Sequence, residues 1–134
     1  SRQAMQEMAV LRQAIHEIME IAVDAFRYND MGKAIYVEPL EQVIDTLKEE
    51  MRTRHIFRMK QETCSVEVGF VWSDLLTSLE RVSDHCSNIA GCVIDIAQNN
   101  LNLHDSLKRT QTNDVLYREA YQQYSQKYAL PLSR

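Results

Sequence analysis

Glu80 and Asp84 are four residues apart, and so are Glu41 and Asp45. On a helix that spacing stacks each pair on one side, where like charges repel by a few tenths of a kcal/mol, on the order of what an i,i+4 pair gives. A hard or borderline cation would offset the repulsion and take several oxygens. Two such pairs on adjacent helices could face each other across a surface groove and hold two or more ions through bridging carboxylates. The spacing does not distinguish among divalent or trivalent candidates such as Fe, Zn, Mn and Ni. Asn88 extends the Glu80–Asp84 row by one turn, and Glu38 lies one turn before the Glu41–Asp45 row. Asp74 and His85 are close in sequence but off the main row. Spacing alone leaves a plainer reading open: an exposed helix face normally carries Asp and Glu, and Arg81 partly neutralises this one.

Other chemistry has less support. The sequence contains no Gly-rich phosphate loop, no nucleophile elbow and no His-Glu-x-x-His motif. His16, His55 and His104 lack a His partner at ligand spacing. Cys64, Cys86 and Cys92 form no CxxC pair, and an odd count argues against a disulfide framework. We expect inert thiols, with Cys64 in a turn the most exposed. Lys48, Arg52, Arg54, Arg58 and Lys60 gather in one stretch, where they complement the negative end of a helix. They could also touch anionic lipid or a protein partner. No pairing of nucleophile and base stands out, so no enzyme is expected. The rival reading, a small carboxylate–metal helical enzyme, needs acidic residues inside the core. A scaffolding bundle without ligand is a third reading.

These side chains need helices to position them. Hydrophobic residues make up 45% of the 134, enough for a core, while three Gly and two Pro are too few for a protein of many strands. The first helix is expected over about 2–28, with Ala4, Met8, Leu11, Ile15, Ile18, Ala22 and Ala25 stepping 4 and 3. A second covers roughly 31–60, striped by Val37, Leu40, Ile44, Leu47 and Met51. Pro39 either starts its regular part or kinks it. A turn at 61–65 follows, with Ser65 as N-cap. The third helix carries Val68, Trp72, Leu75, Leu79, Val82, Cys86, Ile89, Val93 and Ile96, with Ser83, Ala90 and Ala97 beside them for close approach of another helix. Asn99, Asn100 and Asn102 break the pattern. A last helix, about 112–129, is capped by Thr112 or Asn113 and lined by Tyr117, Tyr121, Tyr124 and Tyr128. The fold class is therefore all-α, an antiparallel bundle of three long helices plus a shorter C-terminal one, in a single domain over 1–134. The formal charge of -4 opposes nucleic-acid binding. No apolar run approaches a membrane span, and Ser1-Arg2-Gln3 shows no leader pattern.

The stretch Asp74-Leu75-Leu76, then Leu79-Glu80-Arg81-Val82-Ser83-Asp84-His85 and Asn88-Ile89-Ala90, resembles the signature of the PhoU family. Glu41-Gln42-Val43-Ile44-Asp45 resembles the family's other acidic motif. The likeness covers about residues 8–98, one three-helix unit. Arg54-His55-Ile56, the Cys64 turn and the segment from Tyr124 to Pro131 are more narrowly similar to the PhoU-like tail of bacterial sodium/phosphate cotransporters.

The resemblance implies a PhoU-like bundle with a non-enzymatic regulatory or sensing role in phosphate uptake. It implies a membrane-associated setting at the cytoplasmic face of the bacterial inner membrane. It also implies a transmembrane phosphate transporter domain as partner, in the same polypeptide. Family members bind metal through the acidic motifs, which makes Glu41, Asp45, Glu80 and Asp84 the implied ligands, with Glu38, Asp74 and Asn88 in support. A full PhoU regulator has two units; with one here, a second copy of the chain is expected to stand in for the other as a homo-oligomer.

Overall fold

The computed structural model describes residues 1–61, 64–99 and 103–132, with side chains described over 1–61, 64–98 and 114–132. Helix α1 runs Arg2–Tyr28, α2 Met31–Ala34, α3 Val37–Lys60, α4 Val66–Asn99 and α5 Leu103–Lys127. The fold is the expected all-α bundle. Glu7 of α1 meets Arg58 near the end of α3, and Asp24 meets Lys33 just before its start, so α1 and α3 run antiparallel. Lys48–Glu80 and His55–Trp72 contacts reverse the chain again into α4, which is therefore parallel to α1. Helices α1, α3 and α4 pack pairwise around one core, and α5 packs on α3.

Local chemistry explains the breaks. Asn29 adopts a left-handed conformation (φ 49°), which Asn tolerates better than most side chains. The turn lets the Asp30 N–H reach the Ala25 carbonyl at 2.9 Å and close α1. Asp30 Oδ1 then accepts from the Lys33 N–H and caps α2. Of the two outcomes left open for Pro39, the structure takes the first. The long helix begins at Val37, and Pro39 falls in its first turn, where a missing N–H costs no intrahelical bond. The Ser65 hydroxyl accepts from the Val68 N–H, as expected of an N-cap.

The core centres on Leu11, Ile18, Leu40, Ile44, Met51 and Leu76, each essentially closed to solvent. Burying such a side chain contributes about 1.5–3 kcal/mol. The face of α4 is rotated from the expected one. Its buried line runs through Gly69, Leu76, Ser83, Cys86, Ala90 and Val93, whereas Val68, Leu75, Ile89 and Ile96 are exposed. The small residues Ser83 and Ala90 are thus spent on close packing within the bundle and offer no free surface. Gly69 shows the same economy: a Cβ there would come 2.7 Å from Met59 Sδ and 3.2 Å from His55 Nε2.

Three further expectations change. Helix α5 begins at Leu103, not near 112, because 103–127 holds no Gly or Pro, and Thr and Asn cost an established helix only a few tenths of a kcal/mol, roughly. The break expected at Asn100 and Asn102 lies outside the described residues. Cys92 is the exposed cysteine, while Cys64 is half-buried beside His55. Finally, the expectation of a membrane-associated chain is corrected: among the described residues no helix is long and apolar enough to cross a membrane. Within the basic stretch of α3, Lys48, Arg54 and Arg58 are turned inward, Arg52 pairs at the surface and Lys60 is exposed. Lys48, Arg52, Arg54 and Arg58 all form ion pairs with carboxylates of this chain, which leaves those cations little to offer a lipid surface.

Candidate functional site

The Glu41–Asp45 row of α3 and the Glu80–Asp84 row of α4 lie along the same groove, outside the apolar core. Lys48 joins them. Its side chain is only 8% exposed, and its ammonium lies 3.1 Å from Asp45 Oδ1 and hydrogen-bonds Glu80 Oε1 across the helix interface. Glu49 is a weaker partner at 3.5 Å. Burial works to lower the Lys48 pKa, but the hydrogen bonds to Glu80 and Asp45 prevail and raise it, so the ammonium stays charged. One turn away Glu38 accepts a 2.6 Å hydrogen bond from Ser87 of α4.

Glu41 has no such compensation. Burial first, then the charges of Glu38, Asp45 and Asp84, push its pKa up to about 7, against the opposing pull of Lys48. The charge of Asp84 on α4 therefore acts on Glu41 of α3 across the groove. Tyr117 of α5 reaches the same neighbourhood: burial and the charges of Glu38 and Glu41 raise its pKa. Tyr117 stacks on Tyr121 of the same helix.

The structure therefore brings together Glu38, Glu41, Asp45, Glu80 and Asp84. Asn88 is exposed and lines a shallow cleft with Glu38, Ser87 and Asp95. Asp74 is exposed ten residues before Asp84, about 15 Å along the helix, and does not join the group. Spacing did not reveal Lys48 as a member. Its signal was its place three residues after Asp45 on the same side of α3, but only the register of α3 against α4 sets it beside Glu80.

Metal ligation can be tested against this geometry. Two of the four implied ligands, Asp45 and Glu80, already share an ammonium. Among the described residues no group of three or more His, Cys, Asp or Glu side chains is placed to hold an ion. The Lys48 ammonium takes oxygens of Asp45 and Glu80 that a metal would need.

A second polar cluster escaped the sequence reading. Glu7 is fully buried and receives both Arg58, at 3.0 Å, and Arg54, at 3.2 Å. Arg54 also donates to the Pro131 carbonyl at 2.6 Å and to Glu50, fastening the C-terminal segment to the bundle. His55 stacks on Trp72, and Arg58 lies over the same indole. The signal was present: Glu7 continues the Ala4–Leu11–Ala14 face, and His55 and Arg58 continue Leu47–Met51. This is the one fully buried carboxylate among the described residues, and two guanidinium groups neutralise it. The acidic motifs themselves face outward, opposite to what an oxygen-activating core site requires.

Residues 8–93, more than half of the chain, match the PhoU domain family. The chain is also 29% identical over 80 residues to the phosphate-specific transport system accessory protein PhoU homolog 1 of Thermotoga maritima. That alignment covers 60% of this chain and 34% of the relative, so the match spans about a third of the relative's length. No solved structure matches the chain significantly. Both acidic rows fall inside the matched region, and the outward groove, the three-helix core and the family match converge: the chain belongs to the PhoU domain family, whose members are non-catalytic regulators.

Proposed function

We propose that this domain regulates phosphate uptake as the tail of a sodium/phosphate cotransporter, acting on a transmembrane transporter domain of the same polypeptide from the cytoplasmic side. The observation that carries the reading is the α3–α4 groove, where carboxylates outnumber cations outside the core. A groove of that kind changes its charge and its grip on two helices when a cation enters or leaves, which is a means of sensing rather than of catalysis. The relative from Thermotoga maritima, a phosphate transport accessory protein by name, supports the phosphate link. So does the joining of the two segments similar to cotransporter tails, since Arg54 holds the Pro131 carbonyl.

The entering cation is a divalent or trivalent metal, Fe, Zn, Mn or Ni, competing with Lys48 for Asp45 and Glu80 and drawing on Glu41 and Asp84. The metal would supply charge and bridging between the helices. The test is sodium-dependent phosphate uptake by cells expressing the full-length protein with and without residues 1–134. Loss of the response to external phosphate, with transport itself retained, is the expected result. Identical uptake at every phosphate concentration would refute the proposal.

A further inference from the structure

The end of α3 and the start of α4 hold a second set of donor atoms, apart from the carboxylate groove. His55 and Met59 are four residues apart on α3 and share one of its sides. Cys64 follows in the turn, and Gly69 lies in the first turn of α4. The point where another residue at 69 would carry its Cβ is 2.7 Å from Met59 Sδ and 3.2 Å from His55 Nε2. The thioether and the imidazole therefore border the same space. Cys64 Sγ lies 4.0 Å from the same Nε2. Its other contact is a long one, 3.6 Å to the Ser65 carbonyl.

His55 is only 5% exposed. Its ring face is used, stacked on Trp72 with centroids 5.7 Å apart. Its nitrogens are not. Nδ1 has no hydrogen-bond partner among the described residues, and Nε2 has only the Cys64 sulfur, at a long distance. A buried imidazole with so little hydrogen bonding calls for a further partner. Nε2 is the atom that faces the two sulfurs.

We infer that His55 Nε2, Met59 Sδ and Cys64 Sγ form a binding site for Cu(I). Thiolate and thioether sulfurs are soft donors that select Cu(I), and imidazole suits copper as well. Bonds of about 2.3 Å to sulfur and about 2.0 Å to nitrogen would set those two donors about 3.5 Å apart in a tetrahedral site and about 4.3 Å apart in a linear one. The observed 4.0 Å falls between, as an ion with two or three donors requires. No further His, Cys, Asp or Glu joins His55 and Cys64 among the described residues, which leaves a four-ligand zinc site incomplete. On binding, the Cys64 thiol releases its proton to solvent. The thiolate then neutralises the monovalent ion, and copper stays Cu(I).

Anaerobic titration of the 134-residue chain with Cu(I) held by bicinchoninate tests this. One Cu(I) per chain should leave the chelator. The emission of Trp72, the chain's single tryptophan, should fall in proportion. Cys64→Ser should weaken binding about 100-fold and Met59→Leu about tenfold, since each removes a soft donor. Both changes nearly conserve volume, so helical circular dichroism should be unchanged. Cys92→Ser, which removes the exposed thiol, should leave the affinity as it is. No transfer of Cu(I) from the chelator, or copper bound without effect on Trp72, would overturn the inference. So would indifference to either Cys64→Ser or Met59→Leu, or an equal loss in Cys92→Ser.

Discussion

At one end of the bundle a single carboxylate, Glu7, meets two guanidinium groups. Midway along it, five carboxylates from α3 and α4 line a groove whose buried ammonium, that of Lys48, pairs with two of them, Asp45 and Glu80. The residue types are the same in both places, and the balance differs. The first cluster is centred on a buried carboxylate, fully compensated with positive charge and tied to the C-terminal segment, so it holds the fold together. The second is half-open and short of positive charge, so it can still respond to an ion. Burial and compensation, rather than the presence of carboxylates, separate a structural cluster from a responsive one.

The comparison can be broken most severely at Glu7. Glu7→Gln removes the buried carboxylate that Arg58 and Arg54 both meet, and removing one partner of a buried pair costs about 3–5 kcal/mol. Urea melts should show that loss, whereas a loss below about 1 kcal/mol would put Glu7 among ordinary surface acids. Lys48→Met comes next. It leaves Asp45 and Glu80 facing each other without a cation and should cost about 2 kcal/mol, part of it recovered by added salt or divalent ions. If salt does not matter, the groove is not held by charge.

Glu41 sets a pH dependence. Its folded pKa of about 7 lies above the unfolded value of 4.5, so the stability it contributes is fully present below 4.5 and is lost as pH rises through about 7. Allowing for solvent screening of a half-open group, the loss is about 1–2 kcal/mol. His55 works in the other direction. Burial, then the Arg58 charge, lowers its pKa, so its contribution is present above 6.5 and lost as pH falls through the folded value. The readout is therefore the difference between wild type and Glu41→Gln, whose melting temperatures should converge toward acid pH and diverge in favour of the variant above neutrality. Parallel curves would mean that Glu41 is solvated like any surface acid. The smallest effect is that of Asp84→Asn on the metal-free protein. Asp84 is exposed, so the change should stay within about 0.5 kcal/mol, with a slight gain as repulsion on Glu41 falls.

Local pattern conveyed much of this. The 3-4 spacing from Ala4 to Ala25 anticipated α1, and the Val37–Met51 stripe is the buried face of α3 as expected. The two acidic rows were visible because i,i+4 pairs need only one helix. What stayed hidden depends on contacts between helices. Lys48 reads as one of several basic residues until α4 brings Glu80 to it. On α4 two overlapping 3-4 rows, through Val68–Ile89 and through Leu76–Val93, cannot be ranked by hydrophobicity. The buried one contains Gly69, Ser83 and Ala90, since close helix packing there requires small side chains. Glu7 lies on the apolar face of α1 by position, but its charge reads as a mark of solvent until Arg54 and Arg58 are brought to it.

The most direct test of the responsive groove is calorimetric titration of Mn(II) and Zn(II) into three proteins: wild type, Asp84→Asn and Lys48→Met. If the groove is a cation site for which Lys48 competes, Asp84→Asn should bind at least tenfold more weakly than wild type, about 1.4 kcal/mol, and Lys48→Met more tightly. Identical titrations in all three, or no binding in any, would contradict it.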